Sequence, residues 1–220
     1  MAFVVLPDFV PFFSVIICTY NRVDVLERAV NSLLAQTEHD WEAIVVDDGS
    51  HDNTMQYMRS ICRQDKRFRM VYMHNRGQAM AKNVGILNAT GLYITFLDSD
   101  DEYKPDHLME RKYLLCEHSM IDVLHGGVEV IGNPFVADMH NPSQMIHIQS
   151  CIIGGTMVVR RTLALAVEGF PAVRYGDDTM FFQRLQDYGA TIARIDLPTY
   201  IYHRDTPDSL CTSMMATLSA

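Results

Sequence analysis

The chain has 220 residues, 48% of them hydrophobic and 20% charged, with a formal net charge of −9. That length and balance suit one globular domain with a full core, and exclude an extended disordered chain. The acidity argues against nucleic acid as a partner, because phosphate binding needs a basic face. Any anionic small substrate must then be met by local Arg or Lys, or by a metal.

The N-terminal stretch is apolar, but it lacks a basic start and is broken by Pro7, Asp8 and Pro11. It does not read as a signal peptide, and no run reaches the length of a transmembrane helix. The cysteines at 18, 62, 116, 151 and 211 are odd in number and scattered, with no CxxC pair. They read as reduced thiols, neither a disulfide framework nor a zinc site. A cytoplasmic protein is expected, with the apolar first thirteen residues available for peripheral contact with the inner face of a membrane.

Residues 12–18 form a continuous apolar run that fits a strand buried on both faces, ending in Thr19, Tyr20, Asn21 and Arg22. From Asp24 the period changes, and Leu26, Ala29, Val30, Leu33 and Leu34 fall on one helical face. Residues 41–46 read as a second buried strand, closed by Asp47, Asp48, Gly49 and Ser50, with a helix opening at 52–54. A third strand over 68–73 leads to His74, Asn75, Arg76 and Gly77. The helix from Gln78 is expected to turn Met80, Val84 and Leu87 inward and to end at Gly91. Residues 93–97 make the fourth strand.

Beyond it, Asp98, Asp100 and Asp101 arrive within four residues. On extended backbone Asp98 and Asp100 share a side, and two such carboxylates repel unless a cation sits between them. A hard divalent ion, Mg²⁺ or Mn²⁺, suits oxygen ligands. A helix from Pro105 follows, then a strand pair over 121–131 turning at Gly126-Gly127. Residues 132–147 read as a polar, proline-broken mobile loop, and 156–160 as a short strand. Asp177 and Asp178 lead a helix whose apolar face is Phe181, Phe182, Leu185 and Tyr188. Strands at 191–195 and 200–203 precede a frayed tail.

Alternating strands and helices predict right-handed βαβ units and a mostly parallel sheet. Ligands bind such sheets beyond the carboxyl ends of the strands, where four polar strand ends converge here. Each piece has a plainer reading alone: residues 47–50 as a strand-to-helix turn, Tyr20 as a packed aromatic, Asn21 and Asp24 as caps, Asp177 and Asp178 as first-turn charge.

The runs Thr19-Tyr20-Asn21-Arg22, Val45-Val46-Asp47-Asp48-Gly49-Ser50, Asn75-Arg76-Gly77, Ala81-Lys82-Asn83-Val84-Gly85 and Phe96-Leu97-Asp98-Ser99-Asp100-Asp101 resemble, in order and spacing, a family 2 glycosyltransferase. The resemblance covers roughly residues 12–204. It implies a GT-A fold: an α/β, Rossmann-like, mostly parallel central sheet flanked by helices, with a smaller acceptor-side α+β portion. A single domain over 1–220 is expected, with a nucleotide-sugar half at about 12–101, an acceptor and catalytic half at about 102–204, and a tail.

The implied activity is inverting, metal-dependent transfer of a sugar from a nucleotide diphosphate sugar, with a UDP-sugar favoured. The acceptor would be a saccharide or lipid-linked saccharide, in polysaccharide or glycoconjugate synthesis. Tyr20 is expected to stack on the base, with Thr19, Asn21 and Arg22 beside it. Asp47 would accept from the base N–H, with Asp48, Asn75, Arg76, Lys82 and Ser99 completing the donor site. Asp98 would hold the ribose or the metal, Asp100 would be the direct ligand of Mn²⁺ or Mg²⁺, and His203 and Arg204 could return to the diphosphate or metal. Asp178 would be the base, and the 132–147 loop an acceptor lid. Two departures stand out: Lys82 where the family has Arg, and Asp177 where it has Glu.

Three other readings compete. A non-catalytic nucleotide-sugar binder would keep Asp100 and lose the base. A sugar-phosphate nucleotidyltransferase would want a Gly-rich loop after the first strand, and a signalling receiver an acidic pair there; neither is present. GxGxxG is also absent, which argues against a Rossmann dehydrogenase.

Overall fold

Four apolar runs form the centre of a seven-stranded sheet. The computed structural model describes residues 10–138, 141, 144–173 and 176–205. The first half alternates β1 (Phe13–Thr19), α1 (Val23–Leu34), β2 (Trp41–Asp47), α2 (Thr54–Gln64), β3 (Phe68–Tyr72), α3 (Gln78–Asn88) and β4 (Tyr93–Phe96). There follow β5 (Glu102–Tyr103), α4 (His107–Glu117), β6 (Val123–His125), β7 (Val128–Ile131), β8 (Phe135–Ala137) and β9 (Met145–His147). The chain continues through β10 (Val158–Arg160), α5 (Arg161–Ala166), α6 (Asp177–Asp187), β11 (Ile192–Arg194) and β12 (Tyr200–His203).

The large sheet has the order β11-β6-β10-β4-β1-β2-β3. Only β10 runs antiparallel to its neighbours. The chain steps outward from β1 to β3 and then returns to β4 on the other side of β1. That reversal opens a crevice at the carboxyl ends of β1 and β4, where ligands of open α/β sheets bind. The mostly parallel central sheet expected from the sequence is what the chain adopts.

β1 reads as unbroken apolar sequence because helices cover both its faces. Phe13, Val15 and Ile17 pack with Leu26, Leu33, Trp41 and Leu108, while Ile16 packs on the opposite face with Ala81, Ile86 and Phe181. Burying a Val or Ile side chain stabilises by roughly 1.5–3 kcal/mol, so this strand anchors the layer on both sides.

Several local expectations are corrected. α3 buries Ala79, Ala81, Lys82, Gly85 and Ile86, while Leu87 is 73% exposed. The cause is close packing: a Cβ on Gly85 would overlap Ile16, so alanines and a glycine join Ile86 in the buried stripe, Val84 packs at its edge and Leu87 turns out. Leu34 and Tyr188 also lie outward. Gly91 does not end α3, which closes at Ala89 in extended conformation. Its Cβ would fall 2.8 Å from the Phe13 and Ser14 backbone, so glycine is needed there for close approach.

Gly126-Gly127 is not a hairpin turn. β6 joins the large sheet and β7 leaves it for a three-stranded sheet ordered β5-β12-β7. Residues 132–147, expected to be a loop, contain the antiparallel pair β8–β9. Most of the apolar N-terminal segment and of the tail lies outside the described residues.

Candidate active site

The strand ends are tied to one another before any ligand arrives. Asn21 holds a left-handed φ of 50°, which Asn tolerates better than most residues. Its N–H donates to Ser50 Oγ at 2.9 Å and its Oδ1 accepts from the His51 N–H at 2.7 Å. The turn after β1 is thereby fixed to the turn after β2. Asp48 accepts from the Arg76 and Gly77 N–H groups, each at 2.8 Å, and so fixes the third turn. Arg22 Nη1 donates to Asp100 Oδ2 at 3.0 Å, and Arg28 donates to the Asp100 carbonyl. The acidic turn after β4 is thus clamped to the first.

Asp101 sits beneath that turn, fully buried, accepting from the Tyr200 hydroxyl at 2.5 Å and the His203 N–H at 2.8 Å. Burial pushes its carboxyl well above the usual range, reinforced by Asp98 and Asp100 and opposed by those two donors. The bond from the Tyr200 hydroxyl links the turn to β12, 99 residues later.

Behind the cavity lies Lys82, its side chain 3% exposed, with Nζ 2.6 Å from Asp178 Oδ1 and 3.1 Å from Asp177 Oδ2. Burial alone would pull the ammonium pKa down, but Asp178, Asp177 and Asp98 together hold it above its usual value. Asp178 stands in the first turn of α6, after Gly176 in left-handed conformation. Its other oxygen accepts from the Gly154 N–H at 3.0 Å. A Cβ on Gly154 would overlap that carboxylate, so this approach needs glycine. Asp177 is raised by burial and by Asp178, against Lys82. Burial first, then Asp178, Asp100 and Asp177, push Asp98 up to about 7 despite Lys82.

These elements enclose a cavity of about 790 Å³. Thr19, Tyr20, Arg22, Asp48, Asn75, Asp98, Ser99 and Asp100 line it from the strand ends, and Asp177 and Asp178 from α6. Tyr20 is 42% exposed, an open aromatic face at the wall.

Six sequence candidates lie elsewhere. Asn21 works in the turn. Asp47 is 0% exposed, with Oδ1 accepting from the Ser50 N–H at 2.8 Å, so the carboxylate that reaches the cavity from β2 is Asp48. The Arg76 side chain points to solvent. Lys82 meets the α6 carboxylates from behind the wall. His203 is turned away, with Nε2 2.6 Å from Glu102 Oε1 and Nδ1 3.3 Å from Asp205 Oδ1, so its ring is committed to other carboxylates. Arg204 reaches the carbonyls of Asn133 and Phe135, on the hairpin side.

The sequence reading missed Gly154 and the wall beside it at Ile148, Ile152 and Ile153; Val136, Ala137 and Ile146, which also line the cavity, fall within the 132–147 segment expected on the acceptor side. The Gly154-Gly155 pair was the available signal, since glycine permits close approach of a neighbouring group, here Asp178 and Tyr200.

The family model for glycosyl transferase family 2 matches residues 14–161. The chain belongs to that family. An uncharacterized glycosyltransferase of Rickettsia felis is 43% identical over 108 residues, 49% of this chain and 18% of the relative. S. aureus TarS 1-349 in complex with UDP-GlcNAc superposes with a TM-score of 0.76 at 22% identity, over 90% of this chain and 60% of that one. The mannosyltransferase PcManGT of Pyrobaculum calidifontis, in complex with GDP-Man and Mn²⁺, gives 0.71 at 20% identity, over 94% and 60%. This family 2 chain therefore spans about a fifth of the first relative's length and three fifths of those structures. No helix among its described residues is long and apolar enough to cross a membrane.

Proposed function

We propose that this chain transfers a sugar from a nucleotide diphosphate sugar to an acceptor hydroxyl, with inversion at the anomeric carbon. The observation that carries the reading is the placing of Asp178 in the same cavity as the four polar strand ends. That placing argues against a non-catalytic nucleotide-sugar binder. The segment up to about residue 101 holds the donor and residues 102–204 form the acceptor and catalytic half. Since TarS was solved with UDP-GlcNAc, a UDP-sugar is the favoured donor. A saccharide or lipid-linked acceptor and a role in polysaccharide or glycoconjugate synthesis complete the reading.

The base of the nucleotide lies against Tyr20 with Asp48 and Asn75 beside it, and the diphosphate runs toward Asp98-Ser99-Asp100. Asp178 takes the proton of the acceptor hydroxyl as that oxygen attacks the anomeric carbon. The bond to the diphosphate breaks on the opposite face, which is the geometry of inversion. Lys82 and the Gly154 N–H hold the two Asp178 oxygens in a fixed orientation.

The residues present fit a divalent ion. Asp98 and Asp100 are hard oxygen donors on the cavity wall, and Asp178 and Asp177 add further negative charge beside Asp98. Mn²⁺ or Mg²⁺, bound by Asp100 directly and by Asp98, would supply charge stabilisation to the departing diphosphate.

Asp178→Asn tests the reading. Transfer is expected to fall by about 10²–10⁴, the usual worth of a general base, with UDP still raising the melting temperature. Unchanged turnover would remove Asp178 from the chemistry. Melting shifts with UDP, GDP, CDP and dTDP, each with Mn²⁺ or EDTA, identify the base; the absence of any shift would sink the donor site.

A further inference from the structure

One carboxylate of the cavity is already engaged. Arg22 Nη1 lies 3.0 Å from Asp100 Oδ2, with the two side chains 23% and 10% exposed. Both residues line the cavity, and Arg22 is the one basic residue among the described lining residues. The same carboxylate is the proposed direct ligand of a divalent ion. A guanidinium and a doubly charged ion cannot share one carboxylate at close range without repelling each other.

Neither residue depends on the other for its place. The Asp100 carbonyl accepts from Arg28, and the Asp101 N–H donates to the Asp98 carbonyl at 3.0 Å. Asp101 is itself anchored by the Tyr200 hydroxyl and the His203 N–H. On the other side, the Arg22 carbonyl accepts from the Val25 and Leu26 N–H groups at 3.2 and 3.0 Å, where α1 begins. The acidic turn and the helix start are thus held through their backbones, while the guanidinium sits at the end of a long, partly exposed side chain.

Resting on the proposed transfer reaction, we infer that Arg22 changes partners when the donor binds: it gives up Asp100 to the divalent ion, and its guanidinium closes on the diphosphate. In the ligand-free protein Arg22 competes with the ion for the Asp100 carboxylate. In the donor complex it adds positive charge where the leaving diphosphate gains negative charge. The planar fork of Arg suits a carboxylate and a phosphate equally, so one side chain serves both positions.

The test follows Mn²⁺ binding by the electron paramagnetic resonance signal of the free ion, and UDP binding by calorimetry, in the unaltered protein and in Arg22→Gln. Without UDP, the substitution removes a competitor, so Mn²⁺ should bind about two- to tenfold tighter. At saturating Mn²⁺, UDP should bind about ten- to a hundredfold more weakly, because a charge-assisted hydrogen bond to phosphate is gone. A residue that only braced the fold would not move the two affinities in opposite directions. Mn²⁺ binding no tighter in Arg22→Gln would overturn the inference, as would UDP binding unchanged by the substitution. The unaltered protein keeps the two ideas separate. Failure to bind UDP there sinks the donor site and this inference with it, whereas normal UDP binding with either affinity unmoved in Arg22→Gln sinks only the exchange of partners.

Discussion

Replacing Asp98 by Asn should make the ligand-free protein more stable while weakening its donor site. Burial and the neighbouring Asp178, Asp100 and Asp177 raise the Asp98 carboxyl from 3.8 to about 7. The folded state therefore binds a proton at Asp98 more readily than the unfolded chain does. The stability attached to that proton is fully present below the unfolded value and is lost as pH rises from about 4 through about 7. At pH 8 a shift of this size corresponds to about 4 kcal/mol; Asp98 is part-exposed at the cavity wall, so solvent screening reduces it to roughly 2 kcal/mol. Asn keeps the shape and can still accept from Gln78 Nε2, now 3.3 Å from Asp98 Oδ1. Measured in EDTA at pH 8, the variant should melt higher by about 4–8 °C. The gain should shrink steadily toward pH 4, and the melting shift produced by UDP with Mn²⁺ should diminish. A variant no more stable than the parent at pH 8, or one whose gain ignores pH, would refute the electrostatic account of this site.

Removing the buried cation works the other way. Lys82→Met leaves Asp98, Asp177 and Asp178 without their shared counter-charge, and should cost about 2–4 kcal/mol in urea denaturation. Adding Asp177→Asn should recover more than about 1 kcal/mol of that loss, and additive costs would show that the pair is not coupled. Gly154→Ala drives a methyl group into the Asp178 carboxylate, so initial-rate assays should show transfer falling at least about tenfold. Its melting temperature should drop only by the equivalent of about 1–3 kcal/mol, and a fully active variant would contradict the contact. Tyr200→Phe removes the hydroxyl that donates to buried Asp101; chemical denaturation should register about 1–3 kcal/mol, against no change if the bond is immaterial.

The half of the chain that builds the strand ends was the legible half. β1, β2 and β4 are buried on both faces, so each appears as an apolar run, and the polar residues after each run mark the sheet edge. α3 defeated the pattern because, Ile86 apart, its buried stripe is alanine, glycine and a lysine. Periodicity weighs Met80 and Leu87 more heavily than Ala81 and Gly85, though close packing on Ile16 demands the small residues. The partners of Lys82 lie 95 and 96 residues away, and no local pattern carries that separation. Gly126-Gly127 looked like a hairpin because two short apolar runs flank it. β7 instead pairs with β12, a long-range choice that the flanking sequence does not encode. The acidic pair at 177–178 was visible as charge at a helix start, but its meeting with Asp98 needed the fold.

The charge of the cavity constrains how a donor can enter it. Asp48, Asp98, Asp100, Asp138, Asp177 and Asp178 line the wall, and among the described lining residues Arg22 alone is basic. Arg22 is already paired with Asp100, and Lys82, behind the wall, with Asp177 and Asp178. A diphosphate arriving bare would meet carboxylates whose cations are committed, and like charges at that range repel by several kcal/mol when water is excluded. On the proposed reading the phosphates would come with positive charge of their own, and a divalent ion and a nucleotide diphosphate would each relieve the repulsion felt by the other. Linkage then requires that Mn²⁺ tighten UDP by the same factor as UDP tightens Mn²⁺, and that Asp98→Asn lower the coupling from both sides.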